Sequence, residues 1–158
     1  MGRTHTTISS PLGELTAVAE DGALKGLYFE RHRGGLKREE LGERGEEGFD
    51  EVRRQLAEYF AGQRTRFELP LAADGEDFQR QVWRLLEKIP FGGTRSYGDL
   101  ARELGDVSPA QAVRAACARN PLSVVVPCHR VVRSDGGAGG YVGGAGAKRL
   151  LLTLESAP

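Results

Sequence analysis

Cysteine is scarce in this sequence, with two in 158 residues, Cys117 and Cys128, eleven positions apart. That excludes a disulfide framework and leaves two thiols to account for. Long hydrophobic runs are missing too. No stretch approaches the roughly 20 apolar residues that a membrane-spanning helix needs, and the first residues lead into no apolar segment of the signal-peptide kind. The expectation is a cytoplasmic protein with reduced thiols and no membrane partner. His5 and His32 have no cysteine near them, so no metal set is expected. Excess charge is also absent, since 22 Lys and Arg balance 22 Asp and Glu. The balance is uneven along the chain, however. Residues 1–75 carry 11 basic against 14 acidic side chains, and residues 76–158 carry 11 against 8. The local excess of three positive charges points to phosphate contact with a small electrostatic footprint.

What is present reads as an α+β protein in two parts. Thr4–Ser10, Leu12–Glu20 and Ala23–Glu30 are rich in Thr, Ile, Val, Leu and aromatics. Pro11-Leu12-Gly13 and Glu20-Asp21-Gly22 separate them, which predicts an antiparallel meander. Residues 31–47 are dominated by Arg, Gly, Lys and Glu and read as a mobile, solvated loop. Phe49, Val52, Leu56, Tyr59 and Phe60 recur at helical spacing, so a helix is expected over 48–61. Residues 71–75 read as a linker. The expected domains are therefore 1–72, a small antiparallel sheet with a helix, and 76–158, mostly helical.

In the second part, Phe78, Val82, Leu85, Leu86 and Ile89 mark a helix stopped by Pro90. Ser96-Tyr97-Gly98-Asp99 opens another with a capping-box pattern, and Gly105 ends it. Ser108-Pro109-Ala110-Gln111 opens a third, slim and alanine-rich, over 109–118. Two short helices joined by a tight glycine-containing turn form a helix-turn-helix pattern. A slim helix face suits close approach to a groove, although alanine is also the best helix former.

Val124-Val125-Val126-Pro127-Cys128-His129-Arg130-Val131-Val132 is the most informative segment. The valines drive a strand-like run into the interior, and it delivers a Pro-Cys-His-Arg turn. A cysteine beside a histidine suits thiolate chemistry. Taken alone, a buried inert cysteine with an incidental neighbour fits as well. Adjacent side chains seldom point the same way, so His129 reaches the sulfur through a water or not at all.

The segment closely resembles the active-site signature of the O6-alkylguanine-DNA alkyltransferases, the methylated-DNA–protein-cysteine methyltransferases. The resemblance runs without a gap from about residue 76 to 155. It includes Tyr97 in Ser-Tyr-Gly-Asp-Leu-Ala, Asn120-Pro121, Pro-Cys-His-Arg-Val, and Tyr141 in Gly-Tyr-Val-Gly-Gly. Lys148-Arg149-Leu150-Leu151-Leu152-Thr153-Leu154-Glu155 completes it. It implies irreversible, once-only transfer of an alkyl group from O6 of guanine in double-stranded DNA to Cys128, with O4 of thymine left open as a second alkyl donor. The protein would act as a monomer on the minor groove and flip the base, without cofactor or metal. His129, through a water, and Glu155 would relieve Cys128 of its proton. Asn120 would brace the turn, and Tyr97 would donate to the departing guanine. The Val142 N–H would face O6, the carbonyls of Cys128 and Val131 would accept from the exocyclic amine, and Tyr141 would line the pocket. Val142 stands where the family often has Ser, which keeps a backbone role and loses a hydroxyl.

Residues 136–146 hold seven glycines in eleven. They read either as a bare loop or as a backbone that passes close to a flat base. Gln111, Ala112 and Arg114 fall on the helix that the resemblance assigns to DNA. The family usually has Arg at position 111 and a small residue at 114. Gln111 therefore either wedges into the duplex or partners the Ser108 cap; Arg114, on the same helix face, is a candidate substitute wedge; or base flipping is weak in this protein. Two other functions remain at this point: a lesion binder of the same fold that performs no transfer, and a cysteine hydrolase using Cys128 and His129.

Overall fold

A computed structural model describes residues 2–30, 38–105 and 110–156. The chain divides into two compact units, Met1–Asp74 with Pro121–Val125, and Gly75–Asn120 with Val126–Pro158. The first unit is built on strands β1 (Thr4–Ser10), β2 (Gly13–Glu20) and β3 (Ala23–Phe29), each antiparallel to the next. The β2–β3 connection is the two-residue turn Asp21-Gly22, with positive φ at both (53° and 80°). That conformation matches the twist of a hairpin and selects Asp-Gly. Alternation along the strands buries Ile8, Leu15, Ala17, Leu27 and Phe29 on one face. Helix α2 (Asp50–Phe60) contributes Val52, Leu56 and Tyr59 to the same unit's core. Burial of such side chains stabilises by about 1.5–3 kcal/mol each.

The second half of the expected loop at 31–47 is ordered structure instead. Helix α1 (Arg38–Leu41) leads to strand β4 (Glu43–Arg44), which pairs parallel with β1 and completes the order β3-β2-β1-β4. Residues 31–37 lie outside the described residues. The cause is backbone pairing, which a polar composition does not reveal. Gly42, at φ +71°, passes so close to the Arg3 carbonyl that a Cβ would collide with it. A two-residue, charged edge strand is also a short template for unwanted pairing. The stretch read as a linker is likewise tied down through residue 74. Leu24 exchanges backbone hydrogen bonds with Pro70 and Ala72 at 2.8 and 2.9 Å, and Asp74 pairs with Arg3 and Lys25.

In the second unit, helix α3 (Asp77–Glu87) begins with a Glu76–Gln79 capping box and buries Val82, Trp83 and Leu86. The Trp83 indole donates to the Ala116 carbonyl at 2.9 Å and so fixes α3 against helix α5 (Ala110–Ala118). Strand β5 (Arg95–Ser96) precedes helix α4 (Tyr97–Leu104), which carries the expected Ser96–Asp99 capping box. Gly105 closes it at φ +108°. The turn to α5, with Ser108 and Pro109, lies outside the described residues. Strand β6 (Val131–Val132) and helix α6 (Ala145–Ser156) complete the unit.

Candidate alkyl-transfer site

Cys128, His129 and Arg130 form a single buried 3₁₀ turn between two tight bends and β6. Ahead of it the chain does not run extended as the valines suggested. Val124 has φ +72°, and the Val125 N–H donates to the Ser123 carbonyl at 2.8 Å. An i to i+2 bond around a left-handed residue is a γ-turn of the rare, strained kind, and a β-branched side chain makes it costlier. Such a conformation costs on the order of 1–3 kcal/mol and persists where its surroundings over-determine it. Here Leu27 supplies that constraint, since its N–H donates to Pro121 O and its carbonyl accepts from Ser123 N. Backbone pairing outweighs the strand propensity of valine. The valines are buried as expected.

A second tight bend follows. Pro127 (φ −81°, ψ 65°) sits in an inverse γ-turn, with Cys128 N donating to Val126 O at 2.8 Å. Asn120 Nδ2, also buried, donates to the same Val126 carbonyl at 2.9 Å. The amide thus holds the bend from which the sulfur projects. Cys128 is 4% exposed. Burial pushes its thiol up to about 11, while the Asn120 side chain and the charge of Lys148 act in the opposite direction. The resting sulfur is therefore a protonated thiol and requires a base.

His129 is fully buried behind it, with Nε2 2.8 Å from Glu155 Oε2. Burial lowers the imidazole pKa, against the pull of Glu155. The ring is accordingly neutral near pH 7. With Nε2–H donated to the carboxylate, the free lone pair lies on Nδ1, which meets no protein hydrogen-bond partner among the described residues. A neutral imidazole with one nitrogen anchored and the other available is the form a general base takes. The Tyr141 ring packs edge-on against the imidazole, with centroids 6.3 Å apart.

Two side chains that the sequence reading left without a role complete the arrangement. Arg130 forks onto Glu155, Nε to Oε1 at 2.7 Å and Nη2 to Oε2 at 2.9 Å, and its Nη1 donates to the Ile89 carbonyl at 2.6 Å. Lys148, 1% exposed, donates through Nζ to the carbonyls of Val131 (2.6 Å) and Gly140 (3.2 Å). It ties the exit strand of the cysteine turn to the glycine-rich loop. Arg130 was legible as the fourth residue of Pro-Cys-His-Arg, and Lys148 as a cation on the apolar stripe of α6 with Leu151 and Glu155. Both carbonyls assigned to the exocyclic amine already accept one bond, Val131 O from Lys148 and Cys128 O from the Val131 N–H. Each retains a second lone pair.

Tyr97 is brought to the site by a two-residue parallel pairing, Arg95 with Val131 and Ser96 with Val132. Its ring is buried, and the phenol is pushed up to about 12, first by burial and next by Cys117 and Cys128, against which Arg114 acts. Gly139, at φ +81°, approaches the ring so closely that a Cβ would stand 3.2 Å from the hydroxyl. The glycine loop thus makes its close approach to an aromatic ring of the protein itself. Val142 is half-buried in that loop. On α5, Gln111, Arg114 and Ala115 are exposed and Ala112 is half-buried, while Val113, Ala116 and Cys117 face inward. The Ser108 cap proposed for Gln111 lies outside the described residues. Among the described residues, no three His, Cys, Asp or Glu side chains gather as a metal site, and no helix is long and apolar enough to cross a membrane.

Comparisons with known proteins give the family. Residues 4–73 match the family described as 6-O-methylguanine DNA methyltransferase, ribonuclease-like domain, and residues 77–157 match its DNA binding domain. A methylated-DNA–protein-cysteine methyltransferase of Mycolicibacterium paratuberculosis is 40% identical over 156 residues, covering 96% of this chain and 91% of the relative. One of Methanosarcina acetivorans is 37% identical over 151 residues, covering 96% and 97%. The crystal structure of Mycobacterium tuberculosis OGT in complex with DNA superposes with a TM-score of 0.90 at 39% identity, covering 98% of this chain and 93% of that one. A match that spans both units, and that contains the buried cysteine turn with its histidine and glutamate, makes this chain a member of the 6-O-methylguanine DNA methyltransferase family.

Proposed function

We propose that this protein repairs DNA by taking the alkyl group from O6 of guanine onto Cys128, once per molecule, as a cytoplasmic monomer acting from the minor groove. The observation that carries the reading is the His129 imidazole, anchored through Nε2 on Glu155 and free at Nδ1, in the same turn as a buried thiol. His129 Nδ1 takes the Cys128 proton through a water, and Glu155 stabilises the imidazolium, as a carboxylate does for a catalytic histidine elsewhere. The sulfur attacks the alkyl carbon, an S–C bond forms and the C–O6 bond breaks. The released electron pair passes to the guanine ring, which takes a proton from the Tyr97 hydroxyl. The relay's proton then restores the phenol, so thiol plus O6-alkylguanine yield thioether plus guanine. Asn120 braces the turn, the Val142 N–H faces O6, and Val131 O and Tyr141 border the base. Lys148 contributes positive charge as the thiol ionises.

O6 of a stacked guanine is out of reach of a cysteine only 4% exposed, so the base must leave the duplex. The outer face of α5, with Gln111 and Arg114 exposed and Ala112 half-buried, is the surface that enters the minor groove, where positioning contacts outweigh base readout. Intact mass after incubation with duplex DNA containing O6-methylguanine tests the reading. A single permanent gain of one methyl, lost on Cys128→Ser, is expected. Binding without any gain would make the protein a lesion binder. Turnover of an ester or amide would make it a hydrolase.

A further inference from the structure

We propose that Arg114 is a positioning residue for the transfer chemistry, holding the Tyr97 phenol as proton donor, and that it does not serve as the wedge for base extrusion. This rests on the reading above. The Arg114 guanidinium lies over the Tyr97 ring, 4.9 Å from its centroid. Arg114 extends from α5 and Tyr97 opens α4, so the contact joins the two helices of the helix-turn-helix at the residue that faces the reaction. The opposite constraint comes from Gly139, whose backbone passes against the hydroxyl edge of the same ring. The phenol is thus held between a cation on its face and a glycine at its edge. A guanidinium spent on this face is not directed outward into a base stack. Gln111, one turn earlier on the same helix, is exposed and is left as the candidate wedge.

The chemistry favours this placement. The ring is electron-rich and gains negative character as its proton moves to the departing guanine, and a cation over the face stabilises that change. The charged or ionisable groups acting on Tyr97 are Cys117 from α5 and Cys128 from the 3₁₀ turn, both of which oppose its ionisation, and Arg114, which favours it. Burial opposes ionisation most strongly. Arg114 is therefore the group that offsets an otherwise unfavourable site for a proton donor.

The test compares single-turnover alkylation of the full chain by free O6-benzylguanine and by duplex DNA containing O6-methylguanine. Wild type, Arg114→Ala, Arg114→Lys and the same changes in a Tyr97→Phe background are measured. Arg114→Ala should slow both substrates by the same factor, roughly two- to fivefold, the worth of an exposed cation–π contact. Arg114→Lys should recover most of the loss, and in the Tyr97→Phe background Arg114→Ala should have no further effect. Loss confined to duplex DNA, with the free-base rate unchanged, would overturn the proposal in favour of a wedge. A loss that persists in the Tyr97→Phe background would also overturn it, because the action would not pass through the phenol. Wild type that is alkylated by neither substrate would remove the underlying reading instead. Arg114 is exposed, so folding should survive substitution, and melting temperatures verify that.

Discussion

Arg130 and Glu155 form a buried, two-pronged ion pair, Nε to Oε1 at 2.7 Å and Nη2 to Oε2 at 2.9 Å, and Oε2 is the same oxygen that anchors His129. The glutamate therefore answers to two partners at once, one structural and one chemical. Glu155→Gln should slow alkylation by no more than the roughly 10²–10⁴-fold that general-base assistance supplies. It should also destabilise the fold, because Arg130 loses its counter-charge; breaking a buried pair costs about 3–5 kcal/mol. Arg130→Lys separates the two effects. Lysine keeps the charge and loses the fork, so stability should fall while transfer persists. Urea denaturation and single-turnover rates on the same variants decide it, and a Glu155→Gln protein with wild-type rates at every pH would uncouple the glutamate from the thiol.

The two cysteines should behave differently despite both being buried and free. Cys128→Ser should abolish transfer and leave DNA binding nearly intact, since a hydroxyl of similar size is a far weaker nucleophile. Cys117 lies on the inner face of α5, its thiol pushed up to about 12 by burial, and it stands outside the turn that carries His129, which supplies the base in the proposed transfer. Cys117→Ser should transfer at close to the normal rate. Peptide mapping of the alkylated protein would refute the assignment by finding the new thioether at residue 117.

Alkylation should alter how stability depends on alkaline pH. The Cys128 thiol titrates near its ordinary 9.0 when unfolded and near 11 when folded. Between those values the folded chain keeps a proton that the unfolded chain releases. This stabilisation is fully present below about pH 9 and is lost as pH rises toward 11, at up to about 1.4 kcal/mol per pH unit for one proton. Cys117 and Tyr97 act in the same direction, and Lys148, whose pKa burial lowers, acts against them. A thioether does not titrate. The alkylated protein should therefore lose stability between pH 9 and 10.5 with a slope shallower by up to one proton. Identical slopes by denaturant titration would mean that Cys128 is not the buried acid described above.

The resemblance sets Gln111 where the family usually has Arg, and if α5 enters the duplex as proposed, Gln111 has no charge with which to hold an extruded state. Gln111→Arg should raise the rate on duplex DNA and leave the rate on free O6-benzylguanine nearly unchanged, because only the duplex reaction includes flipping, which costs a few kcal/mol. Equal rates of wild type and Gln111→Arg on duplex DNA would remove position 111 from the extrusion step.

The parts of this molecule legible in its sequence are those set by local pattern. Thr4–Ser10 shows period two between turn residues, Val52, Leu56 and Tyr59 recur at helical spacing, and Ser96 with Asp99 forms a cap within four residues. Cys128, His129 and Glu155 were recognisable as motif residues. What stayed hidden depends on partners distant in sequence. The β5–β6 pairing that carries Tyr97 to the site is two residues long and leaves no period. The left-handed Val124 contradicts the preference of its own side chain, because Leu27, nearly a hundred positions earlier, fixes the backbone on either side of it. Lys148 is legible as a cation on the apolar stripe of α6, but its acceptors, the carbonyls of Val131 and Gly140, are not.

The return of Pro121–Val125 to the first unit has a consequence for modularity. The chain passes between its two units three times, at 74–75, 120–121 and 125–126, and the last crossing lies three residues before the nucleophile. A cut near residue 75 would therefore not excise a self-sufficient catalytic half. It would strip Leu27 from Pro121 and Ser123 and leave the γ-turn at Val124 without the pairing that enforces it. Within the first unit, Leu27 is thus the partner that fixes the Pro121–Val125 segment. Exchange of such a half between relatives would have to carry its matching strand with it.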